Sequence, residues 1–416
     1  MCSSDLQPDT KRIAVMVDLA PLEQISAYSR VMGAARVDDL VRKASQKLAQ
    51  RLGSKRTIYH TGPTQFAFLA SPDVQQNAYV SKLIAEHWEE RQRSSGASLM
   101  TSALGVAVFA PGSTEPQDLL RALASAAQDA RSSLDLVSVY SPAADEAYQR
   151  RYRLLDDFGS ALQASNQLRL VFQPRIELGT GRCLGVEALL RWDHPELGNV
   201  SPGEFIPIVE HSPHAQAMTA FVLDTAMAQL RGWHDAGHDL VVSVNVSAAN
   251  LHEPDFAEAV GAAILRHGVK THQIELEVTE SAVMQDADQA RAQLDRLSAM
   301  GIRLAIDDFG TGYSSLAYLQ KLPANVVKID QSFVREMTSG EKDQSLVRSM
   351  ISLLHDLGYR VVAEGVELIE AAELLRSMNC DEAQGYLFAR PMEKDKLDAW
   401  LHDQNDQLLQ NTSLAA

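Results

Sequence analysis

The sequence predicts an α/β protein in which a (β/α)8 TIM-like barrel follows a smaller α+β domain. The chain has 416 residues, which is too long for one ordinary domain and suits two or three. From residue 168 onward, eight short apolar strand-like segments recur, with helical stretches between most of them. Before residue 145, the strands and helices follow a different order, which indicates helices packed on an antiparallel sheet.

The composition indicates a soluble globular protein with an acidic second half. The net charge of −16 lies in residues 151–416, because residues 1–150 hold 16 basic and 16 acidic side chains. An acidic surface disfavours binding of duplex nucleic acid, which requires a basic face. No apolar run approaches the ~20 residues of a membrane span, and the N-terminus lacks a signal-peptide core. The three cysteines show no metal-ligand or redox spacing, so we expect a cytoplasmic protein without a membrane span.

The first domain is predicted to cover residues 1–144. A charged linker helix at residues 145–162 follows it, and residues 406–416 are expected to form a frayed tail. The elements predicted in the first domain are strand Arg12–Asp18, helix Gly33–Leu52, a hairpin of Thr57–His60 and Gln65–Ala70, helix Val74–Arg93, strand Leu99–Ala110, helix Pro116–Arg131 and strand Leu136–Tyr140.

Residues 163–405 form the predicted barrel, and every strand-like segment in it ends on a polar or charged residue. The segments are Leu168–Phe172, Leu184–Ala188, Leu240–Val244, Ile274–Val278, Arg303–Ile306, Asn325–Ile329, Arg360–Ala363 and Cys380–Gln384. The polar residues at their ends are Gln173, Glu187, Asn245, Glu277, Asp307 with Asp308, Lys328 with Asp330, Glu364 and Gln384. A single one of these could be a helix cap or a turn residue. Because such barrels carry their chemistry at the carboxyl ends of the strands, the full set predicts a functional site.

The donor atoms of this set predict a site for divalent metal ions. Carboxylates and one carboxamide, without histidine or cysteine, are the ligands that Mg²⁺ or Mn²⁺ prefers. A lysine beside them suits a phosphate or an attacking water. Two close metal ions would activate water and stabilise an in-line phosphoryl displacement. The chain has 12 histidines and none lies at these strand ends, which argues against a zinc hydrolase.

The stretch Ile302–Leu316 joins a buried strand to a glycine-containing loop. Asp307 and Asp308 repel each other unless a positive charge lies beside them. Gly310 and Gly312 let the backbone turn tightly and approach a ligand. Two adjacent aspartates alone are more often solvated turn residues, and here the other strand ends favour a metal site.

Seven motifs of the second domain resemble the signature set of EAL-domain cyclic di-GMP phosphodiesterases, and the similarity covers about residues 155–405. The motifs are Glu187-Ala188-Leu189-Leu190-Arg191-Trp192, Asn245-Val246-Ser247, Glu277-Val278-Thr279-Glu280, Asp307-Asp308-Phe309-Gly310-Thr311-Gly312, Lys328-Ile329-Asp330, Glu364-Gly365-Val366-Glu367 and Gln384-Gly385-Tyr386. One flanking position departs from the family pattern, because Arg175 follows Phe172-Gln173-Pro174 where an apolar residue is usual.

The resemblance implies a role for each site residue. The residues implied to bind the first metal ion are Glu187, Asn245, Glu277 and Asp307, and those implied to complete a second are Asp307, Asp308, Asp330 and Glu364. Lys328 and Glu364 would hold or deprotonate the attacking water. The residues implied to contact substrate are Gln173, Arg191, Asp308 and Gln384. Glu280 would tether a regulatory loop that includes Phe309, Gly310, Thr311 and Gly312. The resemblance also implies a homodimer through the barrel domain near this loop.

The first domain resembles the GGDEF domain of diguanylate cyclases in the order of its elements. Its hairpin turn reads Gly62-Pro63-Thr64-Gln65-Phe66, which lacks the two carboxylates of that family. The strand that should end in a metal-binding pair keeps Asp18 but has Ala20 at the second position. We therefore expect a catalytically inactive, nucleotidyl-cyclase-like domain that regulates the barrel or docks a protein partner.

Three functions are consistent with these residues. The leading hypothesis is a metal-dependent enzyme that hydrolyses cyclic di-GMP to linear pGpG. The second is a cyclic di-GMP-binding effector that recruits a protein, although such domains usually lack metal ligands that this chain retains. The third is a bifunctional cyclase and phosphodiesterase, which the turn at Gly62–Phe66 disfavours.

Overall fold

Two separate sheets lie in two units of the chain, residues 1–150 and 151–416. The computed structural model describes residues 11–53, 56–70, 82, 102–311 and 319–415. Among these residues, no helix combines the length and the apolarity that a membrane crossing needs.

The first unit contains a five-stranded sheet of order β2-β3-β1-β4-β5. The side chains of β1 alternate between the two faces of the sheet. Val15 packs on the face that α2 covers, and Met16 packs against α3 on the other face. The sheet is antiparallel except for the parallel pairing of β4 with β5. The elements are β1 Arg12–Asp18, α1 Leu22–Met32, α2 Ala34–Leu52, β2 Ile58–Gly62, β3 Gln65–Leu69, β4 Ala103–Phe109, α3 Pro116–Arg131 and β5 Val137–Val139.

These elements agree with most of the order predicted for the first domain. The predicted helix Val74–Arg93 lies outside the described residues, apart from residue 82. Helix α1 was not predicted; it begins after Pro21, and Gly33 separates it from α2. The predicted strand Leu99–Ala110 begins, within the described residues, at Ala103.

The second unit is an eight-stranded barrel surrounded by helices, as predicted. The strands close in the order β6-β7-β9-β10-β11-β12-β13-β14, and β14 pairs with β6. The short strand β8 pairs only with β7, outside this ring. The strands are β6 Leu168–Glu177, β7 Cys183–His194, β8 Gly198–Val200, β9 Val241–Val246, β10 Ile274–Thr279, β11 Arg303–Phe309, β12 Val326–Ile329, β13 Arg360–Ala363 and β14 Glu382–Ala383.

Strand β6 runs antiparallel to both of its neighbours. The link from β6 to β7 is a short turn, which can join only an antiparallel pair, whereas a parallel pair needs a longer crossover. The prediction that Gln173 lies at the end of the first strand is therefore wrong. Gln173 lies within β6, and Glu187 likewise lies within β7, because both strands continue in a long hairpin.

Helices cover the outside of the barrel. The predicted linker helix is α4, whose residues Leu154, Phe158 and Ala161 belong to the barrel core. The ring of Phe158 meets Trp192 edge-on at 5.3 Å, so the second half of α4 is a structural part of the barrel. The last helix extends to Ala415, through the range expected to be a tail. The helices are α4 Pro142–Gln163, α5 Pro202–Glu210, α6 Ala215–Asp235, α7 Ala248–Leu251, α8 Phe256–His267, α9 Glu280–Gln285, α10 Ala287–Ala299, α11 Gln331–Glu336, α12 Glu341–Asp356, α13 Ile369–Ser377 and α14 Lys394–Ala415.

Candidate functional site

Lys328 lies at the centre of the predicted site and is completely buried. Its Nζ is 2.7 Å from Glu277 Oε2 and 2.7 Å from Glu364 Oε1. The same atom is 3.3 Å from Asp307 Oδ1 and 3.7 Å from Glu187 Oε2. Four carboxylates from four different strand segments therefore surround one ammonium group inside the barrel, as the strand-end pattern predicted.

Amide side chains complete the ring of polar groups around Glu187. Asn245 Nδ2 donates to Glu187 Oε1 at 2.8 Å, and Gln384 Nε2 donates to Glu187 Oε2 at 2.6 Å. Gln384 Nε2 also donates to Gln173 Oε1 at 3.0 Å. Gln173 reaches the site from within β6 because it is the register partner of Glu187 in the β6–β7 hairpin. Both Glu187 oxygens are thus fixed by donors from neighbouring strands.

Asp307 and Asp308 face the same site because the strand is irregular there. In a regular strand, adjacent side chains point to opposite faces. The pairing of β11 with β12 shifts between Ile306 and Phe309, and Asp308 has a φ of 55°. A left-handed conformation is costly for aspartate and is typical of functional sites. As a result, carboxylate oxygens of Asp307, Asp308 and Glu364 lie within 4.8 Å of one another.

Burial and crowding of like charges perturb the carboxylates of the site. Burial raises the pKa of Glu277 well above its usual range and that of Glu364 to about 8. Burial and the charge of Asp307 also raise the pKa of Asp308. Burial disfavours the charge of Glu187, but Lys328 and the amide donors outweigh it and lower the pKa of that carboxyl. One lysine does not neutralise this group of acids, so the site favours an additional positive charge.

The residues present fit a divalent metal ion. Glu277 Oε1 is buried and has no hydrogen-bond partner, which is costly for a carboxylate oxygen that nothing coordinates. Asp307, Asp308 and Glu364 form a cluster that could hold a metal ion, and oxygen ligands of this kind suit hard cations. Asp330 is not part of that cluster, and its Oδ1 accepts from the Ser332 N–H at 3.0 Å as the cap of α11. The charge of Asp330 nevertheless contributes to the raised pKa of Asp308.

Glu280 contacts the loop that follows Asp308, at the place where a tether was predicted. Its Oε2 accepts a hydrogen bond from the Gly310 N–H at 3.0 Å. Gly310 has a φ of +99°, and a Cβ there would lie 2.7 Å from the Phe333 ring. Thr311 Oγ1 donates to the Asp308 carbonyl at 2.8 Å. Gly312 lies outside the described residues.

A pocket of about 240 Å³ opens above these groups. Five of the site residues predicted from the sequence line this pocket: Gln173, Glu187, Asp307, Glu364 and Gln384. Arg191 is not among the lining residues, although it lies on the same face of β7 as Glu187 and Leu189, and its Nη1 donates to the Leu190 carbonyl at 2.9 Å.

The sequence reasoning assigned no role to four polar residues that line this pocket: Gln331, Arg335, Glu367 and Tyr386. Arg335 Nη2 and Glu367 Oε1 form an ion pair at 2.8 Å across the rim. Gln331 and Arg335 are four residues apart on α11, so they lie on one face of that helix. Glu367 and Tyr386 belong to two of the seven motifs, shortly after the predicted site residues Glu364 and Gln384. This position in the motif was the sequence signal that they could line the pocket.

The chain was also compared with known proteins. The family model described as "EAL domain" matches residues 156–391. A cyclic di-GMP phosphodiesterase of Pseudomonas aeruginosa is 37% identical over 399 residues, which cover 95% of this chain and 68% of that protein. The bifunctional diguanylate cyclase/cyclic di-GMP phosphodiesterase MucR of the same organism is 33% identical, over 94% of this chain and 57% of its own length.

Two solved structures agree with the barrel described above. A complex of the PaMucR phosphodiesterase with c-di-GMP has a TM-score of 0.57 and 42% identity, over 59% of this chain and 99% of that one. The EAL enzyme Bd1971, bound to cAMP and cyclic di-GMP, has a TM-score of 0.59 and 28% identity, over 71% of this chain and 80% of that one. The family match spans more than half of the chain, and the chain belongs to the EAL domain family.

Proposed function

We propose that this protein is a metal-dependent phosphodiesterase that hydrolyses cyclic di-GMP to linear pGpG. The observation that carries the proposal is the convergence of four carboxylates on the buried Lys328, with two amide side chains that hold one of those carboxylates, Glu187. A solvated surface cluster would not need a completely buried lysine at its centre. The relatives named as cyclic di-GMP phosphodiesterases support this substrate for the chain.

The metal ions are proposed to be Mg²⁺ or Mn²⁺, with two bound together. The residues proposed to hold the first are Glu187, Asn245, Glu277 and Asp307, and those proposed to complete the second are Asp307, Asp308, Asp330 and Glu364. When bound, such ions lower the pKa of water and stabilise the charge that develops on phosphate oxygens.

The chain's own residues divide the remaining work. The carboxylates around Lys328 raise its pKa well above the usual range despite its burial, so the ammonium stays charged among them. Burial raises the pKa of Glu364 to about 8, so this acid is protonated at neutral pH, and metal binding must displace that proton before the carboxylate can act as a base. We assign Lys328 to orient the water or the phosphate and Glu364 to accept the proton. The water oxygen bonds to phosphorus while its proton passes to Glu364, the bond from phosphorus to O3′ breaks, and O3′ takes up a proton from solvent.

The substrate is proposed to bind in the pocket above the carboxylates. Gln173 and Gln384 would donate or accept hydrogen bonds with phosphates or guanine edges, and Arg191 would supply positive charge at the entrance. Asp308 would contact both substrate and metal. Glu280, through the Gly310 N–H, would hold the loop and couple it to a homodimer contact of the barrel.

The first unit is proposed to be an inactive GGDEF-like domain of residues 1–144 that regulates the barrel or docks a protein partner. Its sheet order and helices support the likeness. The Asp18 carboxylate is engaged by Arg131 Nη2 at 3.0 Å and by Thr64 Oγ1 at 3.3 Å. The Arg131 guanidinium therefore lies beside the Asp18 carboxylate where a metal ion would have to bind, and Ala20 supplies no second carboxylate.

The proposal is tested by incubating the purified protein with cyclic di-GMP and Mg²⁺ and separating the nucleotides by chromatography. We expect linear pGpG to accumulate. Tight binding without product would replace the enzyme with a cyclic di-GMP-binding effector. Consumption of GTP in a parallel reaction would contradict the inactive first domain.

A further inference from the structure

A second inward-facing layer lies one step further along the barrel interior from the carboxylate layer. Residues two positions apart on a strand face the same side, so each site residue has such a neighbour in its own strand. On one side of the barrel this layer is apolar, with Ala305, Val326 and Val362 packed together. On the other side it is charged, with Arg175 of β6, Glu275 of β10 and Glu382 of β14.

Arg175 connects the charged residues of this layer. Its Nη1 donates to Glu275 Oε1 at 2.5 Å, and its Nε lies 2.6 Å from Glu382 Oε2 in an ion pair that lacks hydrogen-bond geometry. Ser243 Oγ donates to the same Glu275 oxygen at 2.9 Å. The side chains of Arg175, Glu275 and Glu382 are 3%, 0% and 4% exposed, so water contributes little to these contacts. One guanidinium thus bridges two strands that do not neighbour each other.

A glycine lies opposite Arg175 on the neighbouring strand. The register partner of Arg175 on β7 is Gly185. A Cβ at Gly185 would lie 3.5 Å from Arg175 Nη2 and only 2.8 Å from the Val241 carbonyl oxygen. Arg360 also meets Glu382, with Nη2 donating to Oε1 at 3.0 Å from the outer side. Glu382 is therefore held from two directions.

Arg175 lies at the seam where the barrel closes. The pairing of β6 with β14 consists of Glu382 with Glu177 and Ala383 with Ile176. One further bridge joins Phe172 to Met392. The longer β6–β7 hairpin holds β6 on its other side. The pair of Gln173 and Gln384 spans this same seam, with its 3.0 Å hydrogen bond, and Gln384 in turn holds Glu187.

We propose that Arg175 is a positioning residue for substrate binding, which locks the β6–β14 seam through Glu382 and Glu275 and thereby fixes the Gln173–Gln384 pair. This inference rests on the proposed function, in which those two glutamines contact the substrate. The planar guanidinium can reach partners on two strands at once, whereas an ammonium is a single point of charge. Arg175 itself does not line the pocket, so it acts only through the seam.

The test compares Arg175→Met, Arg175→Lys and Glu382→Gln with the matched control Arg231→Met. Arg231 lies at the surface on α6, where its Nη2 pairs with Asp235 Oδ1 at 2.9 Å. Steady-state hydrolysis of cyclic di-GMP gives kcat and KM, at a temperature where each protein is folded by circular dichroism. Hydrogen exchange is measured on peptides covering residues 168–177 and 382–392.

We expect Arg175→Met to raise KM roughly 10- to 100-fold, since small misplacements of positioning groups have effects of this size. The fall in kcat should be smaller than the rise in KM, and exchange should speed up in the seam peptides. Arg175→Lys and Glu382→Gln should give smaller rises, because each retains part of the contact. Arg231→Met should resemble the wild-type protein.

An unchanged KM and unchanged seam exchange in folded Arg175→Met would reject the proposal, as would a fall in kcat larger than the rise in KM. If Arg175→Met does not fold, the other two variants decide, and an unchanged KM in both rejects the proposal. If none of the three folds, Arg175 serves stability alone and the proposal is wrong. A wild-type protein without turnover would reject the proposed function instead, and the exchange measurement would still decide whether Arg175 locks the seam.

Discussion

Substitution of Lys328 by methionine tests the account of the site in both activity and stability. Within the described part of the chain, Lys328 is the one cation in contact with Glu187, Glu277, Asp307 and Glu364, at distances from 2.7 to 3.7 Å. Methionine keeps most of the buried volume and removes the charge and the three N–H donors. Catalysis should then lose the group that orients water or phosphate, and the fold should lose the counter-charge of four acids.

The magnitudes follow from the burial of this group. Removing one partner of a buried, hydrogen-bonded ion pair costs about 3–5 kcal/mol, and Lys328 is completely buried. We therefore expect Lys328→Met to lower the free energy of unfolding by that amount when no metal ion is present. Saturation with Mn²⁺ at about 100 times its Kd would restore roughly 2.7 kcal/mol, because the ion binds only the folded site. The loss in kcat should be at least ~10²-fold, as for other charged groups that act on the reacting atoms.

The assay combines urea unfolding, with and without Mn²⁺, and steady-state hydrolysis of cyclic di-GMP. Lys321→Met is the control, because Lys321 is exposed and precedes the same strand. Glu187→Ala is the companion variant, because it removes a proposed metal ligand. A loss of turnover below ~10²-fold in both site variants would show that the site is misplaced. A Lys328→Met protein as stable as the control without metal would refute the charge balance described here.

Four further outcomes are expected. Mg²⁺ and Mn²⁺ should support hydrolysis and Ca²⁺ should inhibit it, because calcium takes more ligands at longer distances; full activity in Ca²⁺ alone would contradict the metal assignment. Glu364 holds a proton up to a pH of about 8, and a metal ion must displace that proton, so metal affinity should rise as the pH rises towards 8. Calorimetry in buffers of different ionisation heat should detect the released proton. A metal affinity independent of pH between 6 and 9 would exclude this coupling. The protein should be a homodimer whose specific activity falls on dilution, and light scattering that finds a fully active monomer would remove the dimer. The full chain should not make cyclic di-GMP from GTP. A 145–416 fragment should hydrolyse cyclic di-GMP at a rate that differs from that of the full chain. If the fragment and the full chain had the same rate, substrate affinity and assembly, regulation by the first unit would be excluded.

The sequence predicted the barrel and most of the inner site because buried strands have a recognisable pattern of residues. Strands covered on both faces are continuously apolar, so a polar residue directly after them is conspicuous. Asp307 and Glu364 were found directly after their segments, Glu277 and Lys328 next to the last apolar residue of theirs, and the structure brings all four together. Their convergence needed no side-chain detail, since parallel strands end at one edge of the barrel.

The sequence did not reveal the direction of strand β6 or the residues of helix α11 that line the pocket. Strand β6 runs antiparallel, although the connection at residues 178–182 is too short for a crossover helix and contained the signal. Gln331 and Arg335 line the pocket from α11, where polar residues also suit an ordinary solvated helix face. Arg175 was noted only as a departure from a family pattern, and its partners Glu275 and Glu382 lie about 100 and 200 residues away in the chain, so no local pattern joins them.

The most direct test of the central claim is hydrolysis of cyclic di-GMP in water enriched in ¹⁸O, with the product analysed by mass spectrometry. If the site activates water for in-line attack on phosphorus, linear pGpG should carry one ¹⁸O atom in its terminal phosphate after a single turnover. The Glu187→Ala protein should give no labelled product on the same timescale. Absence of product from the wild-type protein, or linear product without the label, would contradict the account of this site as a water-activating phosphodiesterase.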